Sequence, residues 1–213
     1  MLIRDTMTTN VVTIPSNTSI SDAKRIMEAH KFQRLPVVDK GKLVGIVTAR
    51  RLESVSPSKA SSLTVWELTY LLHSTPVKDI MEKNVITVTP ETTAEEAVAL
   101  AQSKKVGSLV VLEDNRVVGI LTTNDLFYEI VNPILGLGSR GTRLEIINAG
   151  NAAALEKIMS AVNKLGLKLV TLHIEILPDK KERNICLHVD TDDVSQLIEK
   201  LKAGGFQVTI RKR

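Results

Sequence analysis

Ile3 to Glu53 aligns without a gap on Val77 to Phe127, with identities at Asp5/Asp79, Met7/Met81, Asn10/Asn84, Thr13/Thr87, Leu35/Leu109, Gly45/Gly119 and Thr48/Thr122. Such a duplication constrains the fold more than any single motif, because both copies must build the same elements in the same order and bury equivalent apolar faces. Near the end of each copy the stretches "GIVTARR" and "GILTTND" match in kind until the last position, where Arg51 stands in one and Asp125 in the other.

Each copy reads as a short extended segment ("NVVTI", "NVITV"), a helix, two β-branched runs and a closing helix. In the first copy the helix carries an apolar stripe at Ile20, Ala23, Ile26 and Met27. Ser19 with Asp22, and Thr93 with Glu96, supply the oxygen acceptors that open such helices. Lys40-Gly41 and Asp114-Asn115 are turn residues between the runs, and the closing helices begin at Thr48 and Thr122. Between the copies a Ser-rich stretch leads to Thr64 and Glu67, which cap a linker helix. Its Leu68, Leu71 and Leu72 are expected to pack on the repeats, with Trp66 in the core.

From Gly141 the order becomes strand, helix, two strands, helix, strand, which is the split βαβ arrangement of two helices on one face of a four-stranded sheet. The fold class is therefore α/β (α+β), divided into repeat 1 over 1–56, a linker helix over 57–76, repeat 2 over 77–132 and a separate domain over 141–213. A hairpin turn at Lys180-Lys181 would set His173 opposite His188, away from Leu172, Ile174 and Ile176. With Glu175 nearby the pair could hold a metal, but packing at a sheet surface or subunit contact is the preferred reading.

At 213 residues with 43% hydrophobic and 24% charged side chains, the chain has the composition of a soluble globular protein. No apolar run approaches the roughly 18 residues of a membrane helix. The start "MLIRDTMTTN" lacks a signal-peptide core, so the cytoplasm is the expected location. The one cysteine, Cys186, excludes an internal disulfide and reads as a packed small hydrophobe. A net charge of +4 invites an anionic partner, but the basic residues are dispersed and aromatics make up 3%, which argues against nucleic acid. A Ser/His/Asp set, a P-loop, paired catalytic carboxylates and metal-spaced His/Cys clusters are all missing, so an enzyme is not expected.

The duplicated units resemble tandem CBS domains, which pair into one Bateman module, and the C-terminal part resembles an ACT domain. With the linker "LTVWELTYLL" running into "VKDIM", the order is similar to that of the acetoin-utilisation B-type protein family. The resemblance implies an adenine nucleotide (AMP, ADP or ATP) or S-adenosylmethionine as regulatory ligand in the cleft between the repeats, with no catalytic cofactor. Asp125, the acid of T-x-x-D, would accept from both ribose hydroxyls, and Thr122 and Asn124 would present a helix start to phosphate. Adenine would lie on the Met7 to Val12 segment with Phe32 and Gln33, closed by Ile120, and Arg34 would be the phosphate contact. T-x-x-D alone reads more readily as a plain capping box. The repeat context favours the ligand.

In the first repeat Arg51 replaces the ribose acid beside Thr48, facing Val106 and Ser108, with no cation matching Arg34. One nucleotide site per chain is therefore expected, with the Arg51 cleft empty or holding a different anion. In the ACT-like part Ala152 and Ala153 stand where such domains often carry Pro-Gly, so pairing of subunits is favoured over an amino-acid effector. The function expected is a non-catalytic cytoplasmic dimer that senses an adenine ligand and controls a partner enzyme, in acetoin or acetate metabolism by resemblance. The alternative is a ligand-free scaffold that uses its ACT-like domain for dimerisation or docking.

Overall fold

The Ser19 hydroxyl accepts the Asp22 amide proton and so opens helix α1 (Ile20–His30), whose Ile20, Ala23 and Met27 turn inward. The computed structural model describes residues 1–55, 64–176 and 182–211, which fall into two units, Met1–Phe127 and Tyr128–Arg213.

In the first unit, β1 (Arg34–Asp39) and β2 (Lys42–Thr48) form an antiparallel hairpin, followed by α2 (Ala49–Ser54). Helix α3 (Val65–Ser74) comes next, then β3 (Thr87–Val88), α4 (Ala94–Lys104) and the hairpin β4 (Ser108–Glu113) and β5 (Arg116–Thr122). Both hairpin turns have positive φ at their two central residues, Lys40-Gly41 and Asp114-Asn115, which matches the right-handed twist of the strands. β3 pairs in parallel with β4, while its counterpart in the first copy is reduced to a single bridge between Ile14 and Val37.

The segments that lead into the copies are exchanged. The first residues of the chain bond to the second copy, with Ile3 donating to Thr92 O and Ala94 to Met1 O, and Ile3 buried in that copy's core. Conversely, Val77 and Lys78 donate to Thr18 O and Ser16 O, and Val77 and Ile80 join the core of the first copy. Gly45 and Gly119 follow from this: Met81 lies over the one and Met7 over the other, leaving no room for a side chain. A third apolar layer of Ile46, Val110 and Ile120 joins the two hairpins.

The Thr64–Glu67 capping box forms as read, and Leu72 packs on the first copy. Trp66 does not: it is 85% exposed, and Leu71 is also exposed. On a helix, residues six apart sit about 120° apart, so the face that Leu72 commits to α1 leaves Trp66 outside. The side chain of Leu68 and the Ser-rich stretch lie outside the described residues.

Helix α5 (Thr123–Asp125) is one α-turn that continues as a π-helix over Leu126–Val131. In the second unit come α6 (Asn132–Leu135), β6 (Thr142–Ile146), α7 (Ala152–Lys164), β7 (Leu169–Ile176), β8 (Arg183–Val189), α8 (Ser195–Ala203) and β9 (Val208–Arg211). Its antiparallel sheet is ordered β7-β8-β6-β9. Alternation along β8 sends Ile185, Leu187 and Val189 into the core with Ile158 of α7 and Leu197 of α8, while Asn184, Cys186 and His188 face the other way.

The expected histidine pair does not form. His173 stands opposite Cys186, and His188 opposite Thr171, because from Thr171 to Ile176 the ladder runs two residues away from the expected register. The turn proposed at Lys180-Lys181 lies outside the described residues. Among the described residues no helix is long and apolar enough to cross a membrane.

Candidate functional site

Thr122 ends β5 and caps α5, and this places Asp125 three residues on with its carboxylate turned back over the strand end. One oxygen, Oδ2, accepts from the Thr122 amide at 2.7 Å and the Thr122 hydroxyl at 2.8 Å. T-x-x-D is thus a capping box in fact as well as in pattern. The cap uses one carboxylate oxygen only, and Oδ1 is left to accept from a ligand hydroxyl.

Asp125 lines a cavity of about 220 Å³ together with Ile120, Thr122 and Asn124. The opposite wall is built by the first copy: Val12, Phe32, Gln33 and Arg34, with Thr8, Asn10 and Val11. Phe32 follows the left-handed cap of α1 at Lys31 and is stacked on His30, ring centroids 5.4 Å apart and 13° from parallel. That contact gives His30 a packing role.

Eight of the nine residues read from the sequence therefore meet in one cavity. Met7 does not. The exchange of leading segments carries its side chain onto the second copy's core, over Gly119, before the chain crosses back at Val11 and Val12. Lys31 and Pro36 line the cavity and were missed. Lys31 had a signal, since the residue closing α1 must sit beside Phe32; Pro36 was legible only from the strand's direction.

Arg34 is part-buried and, among the described residues, has no ion pair. Burial pulls its guanidinium below the ordinary arginine value, and the attraction of Asp125 partly opposes this. A part-buried cation beside a carboxylate that does not reach it is poised for an anionic group between them.

The second cleft differs. Thr48, Val106 and Ser108 line it as read, with a cavity of about 320 Å³, but Arg51 does not. Its Nε donates to Ile80 O at 3.0 Å, a carbonyl on the exchanged leading segment, and so the side chain leaves the cleft. Arg50 takes its place in the lining. Arg34 and Gln33 line this cleft as well as the first, so the cation that the sequence assigned to one cleft only is shared.

In the second unit His173, Glu175 and Cys186 bring their ligand atoms within 4.8 Å of one another, a cross-strand constellation that the expected register concealed. Its chemistry is taken up by Arg211, which clamps Glu175 with bonds of 2.7 and 2.8 Å and also bonds Glu145. These carboxylates, Glu145 first, raise the Arg211 pKa, and burial raises that of the Cys186 thiol. A neutral thiol beside a bidentate ion pair is a poor metal seat.

The family model described as "CBS domain" matches residues 3–56 and 77–132. An inosine-5'-monophosphate dehydrogenase of Korarchaeum cryptofilum is 37% identical over 133 residues, 62% of this chain but 24% of that enzyme. Among solved structures, a Vibrio cholerae chain described as an acetoin utilization protein (AcuB) is 31% identical, with a TM-score of 0.53 over 64% of this chain and 94% of that one. The CBS domain pair of protein MJ0100, in complex with 5'-methylthioadenosine and S-adenosyl-L-methionine, is 27% identical, with a TM-score of 0.51 over 62% and 97%. Pairs of such domains are generally regulatory rather than catalytic.

Proposed function

The chain belongs to the CBS-domain family, and on that premise we propose that it is a non-catalytic regulatory protein which binds an adenine nucleotide or adenosyl ligand in its Asp125 cleft. One observation carries the reading. A carboxylate with one oxygen outside its cap and a part-buried arginine without an ion pair among the described residues face one cavity from different copies. Asp125 takes the ribose, Phe32 and Val12 lie along the base with Ile120 opposite, and Arg34 takes the phosphate, with Thr122 and Asn124 at the edge. At about 220 Å³ the cavity is smaller than the roughly 300–1,000 Å³ of drug-sized sites, so it seats a nucleoside and leaves the tail outside.

A ligand held by both copies stiffens the pair, and its effect on any partner is limited by its difference in affinity for the two arrangements. The division into 1–56, 57–76, 77–132 and 141–213 is retained. The last part is assigned as a ferredoxin-like ACT domain from its strand order and paired helices. It is given a homodimerising role, since β7 and β9 are edge strands able to pair across an axis. A partner enzyme, in acetoin metabolism by likeness to the Vibrio protein, is the downstream element of the reading.

Calorimetric titration with AMP is the test. One site per chain is expected, and Asp125→Ala should weaken it by about a hundredfold or more, since up to two charge-assisted bonds of about 1.5–3 kcal/mol are lost. The melting profile should be retained apart from the lost cap. Two equivalent sites, or unchanged affinity in the variant, would reject the assignment.

A further inference from the structure

The second cleft has lost its ribose acid, yet its wall is cationic. Arg34 enters from the strand shared with the first cavity and Arg50 from the start of α2, and Thr48, Asn84 and Ser108 add donors. Glu82 is the carboxylate on this wall, and its Oε1 is turned back to accept from the Asn84 amide at 2.9 Å. Gly107 keeps the space open for Arg34. A methyl group added there would stand 2.7 Å from the arginine's Nη2, a flexible end that would have to move aside. Two guanidiniums with hydroxyl and amide donors outnumber the one Glu82 carboxylate, which does not stand at the helix start as Asp125 does, and they suit a phosphate group better than a nucleoside.

We propose that the second cleft is a phosphate-group site, built by Arg34 and Arg50 with Thr48, Asn84 and Ser108, and sharing Gln33 and Arg34 with the Asp125 cavity. The phosphate has two sources. It is either the terminal part of a nucleoside polyphosphate whose nucleoside sits on Asp125, or a free phosphate or polyphosphate ion. The first source rests on the reading given above for the Asp125 cleft; the second does not. In the first case the ligand class shifts toward ATP and ADP. S-adenosylmethionine, whose tail carries a sulfonium and no phosphate, gains nothing from this site.

The test uses the full chain, with calorimetric titrations of AMP, ATP and sodium tripolyphosphate on the wild type, Arg50→Ala, Gly107→Ala and Asp125→Ala. Arg50 is exposed, so its removal should leave folding intact, as a melting curve will check. Arg50→Ala is expected to weaken ATP and tripolyphosphate by about tenfold or more, the loss of one charge-assisted contact, while AMP stays within about twofold. Gly107→Ala should act in the same direction by displacing Arg34 from this side. In Asp125→Ala, tripolyphosphate should bind as in the wild type. If ATP and tripolyphosphate then compete in the wild type, the nucleotide's own tail is the occupant; if both bind at once, the free ion is. Tripolyphosphate that does not bind the wild type, or that binds Arg50→Ala as tightly, overturns the proposal; ATP unaffected by Arg50→Ala rules out the nucleotide tail and leaves the free ion as occupant. Failure of AMP alone would instead count against the Asp125 assignment.

Discussion

The two clefts are made from equivalent positions of a duplicated sequence, and they differ at the residue three beyond the capping threonine, an acid in one copy and a base in the other. At Asp125 the residue three beyond the capping threonine returns to complete the cap and keeps one oxygen for a ligand. At Arg51 the same position cannot complete the cap from the carboxylate side. Only the Arg51 amide bonds Thr48 Oγ1, and the side chain reaches away to Ile80 O. A single substitution therefore changes both a helix start and a binding wall, which shows how little sequence is needed to make a symmetric fold asymmetric.

That contrast can be broken from either side. The largest effect belongs to the Asp125→Ala variant described above, and its control is Arg51→Ala, which should leave AMP affinity within about twofold because Arg51 is outside both cavities. Equal losses would mean that the clefts are not distinct. Next, Arg34→Ala should weaken AMP by about tenfold to a hundredfold and adenosine by less than about twofold, since only the phosphate contact of about 1.5–3 kcal/mol is removed. Competition calorimetry with both ligands would measure this.

A smaller effect separates the two glycines. Gly45→Ala must displace Met81 and also presses on the Glu82 carbonyl oxygen, 3.0 Å from the added carbon, whereas Gly119→Ala meets mainly the flexible Met7. Overpacking of this kind costs about 1–3 kcal/mol, and urea denaturation should place Gly45→Ala at the upper end and Gly119→Ala at the lower.

The smallest effect concerns acid. Asp39 Oδ1 accepts from the Ser16 amide at 2.9 Å, and this bond holds its carboxyl below the usual aspartate range. The counterpart of Ser16 in the second copy is Pro90, which has no proton to give. A depressed folded-state pKa contributes stability that is present above the unfolded value and lost as pH falls through the folded one. The gap in melting temperature between wild type and Asp39→Asn should therefore be full at pH 7 and close below about pH 4. A gap independent of pH would show that the bond contributes through shape alone.

Much of the first unit was legible because local rules agree there. Ser19, Thr64, Thr93 and Thr122 each cap the helix that follows, and the two turns have the geometry that Lys40-Gly41 and Asp114-Asn115 suggest. The site was legible where it depends on such local signals, as at Asp125 and Phe32. It was not legible at Met7 or Arg51, whose side chains are directed by a partner far along the chain. The His173 register failed for a related reason: from Thr171 to Ile176 every opposition lies two residues from the one a turn at Lys180-Lys181 would set, and alternation with a period of two does not distinguish two such registers.

The sequence by itself determined that there are two copies, which elements each contains, where their helices start, and that one copy carries an acid where the other carries a base. Only the tertiary structure decided that the leading segments are exchanged, so that Ile3 is buried in the second copy and Val77 in the first. The physical reason is that the leading segments of the two copies are alike, with Met7 and Met81 the same residue and Gly45 and Gly119 the same seat. Either segment fits either seat by local chemistry, and the choice is made by how the chain closes. That exchange carries Met7 away from the cavity and gives Arg51 its carbonyl on the leading segment of the second copy.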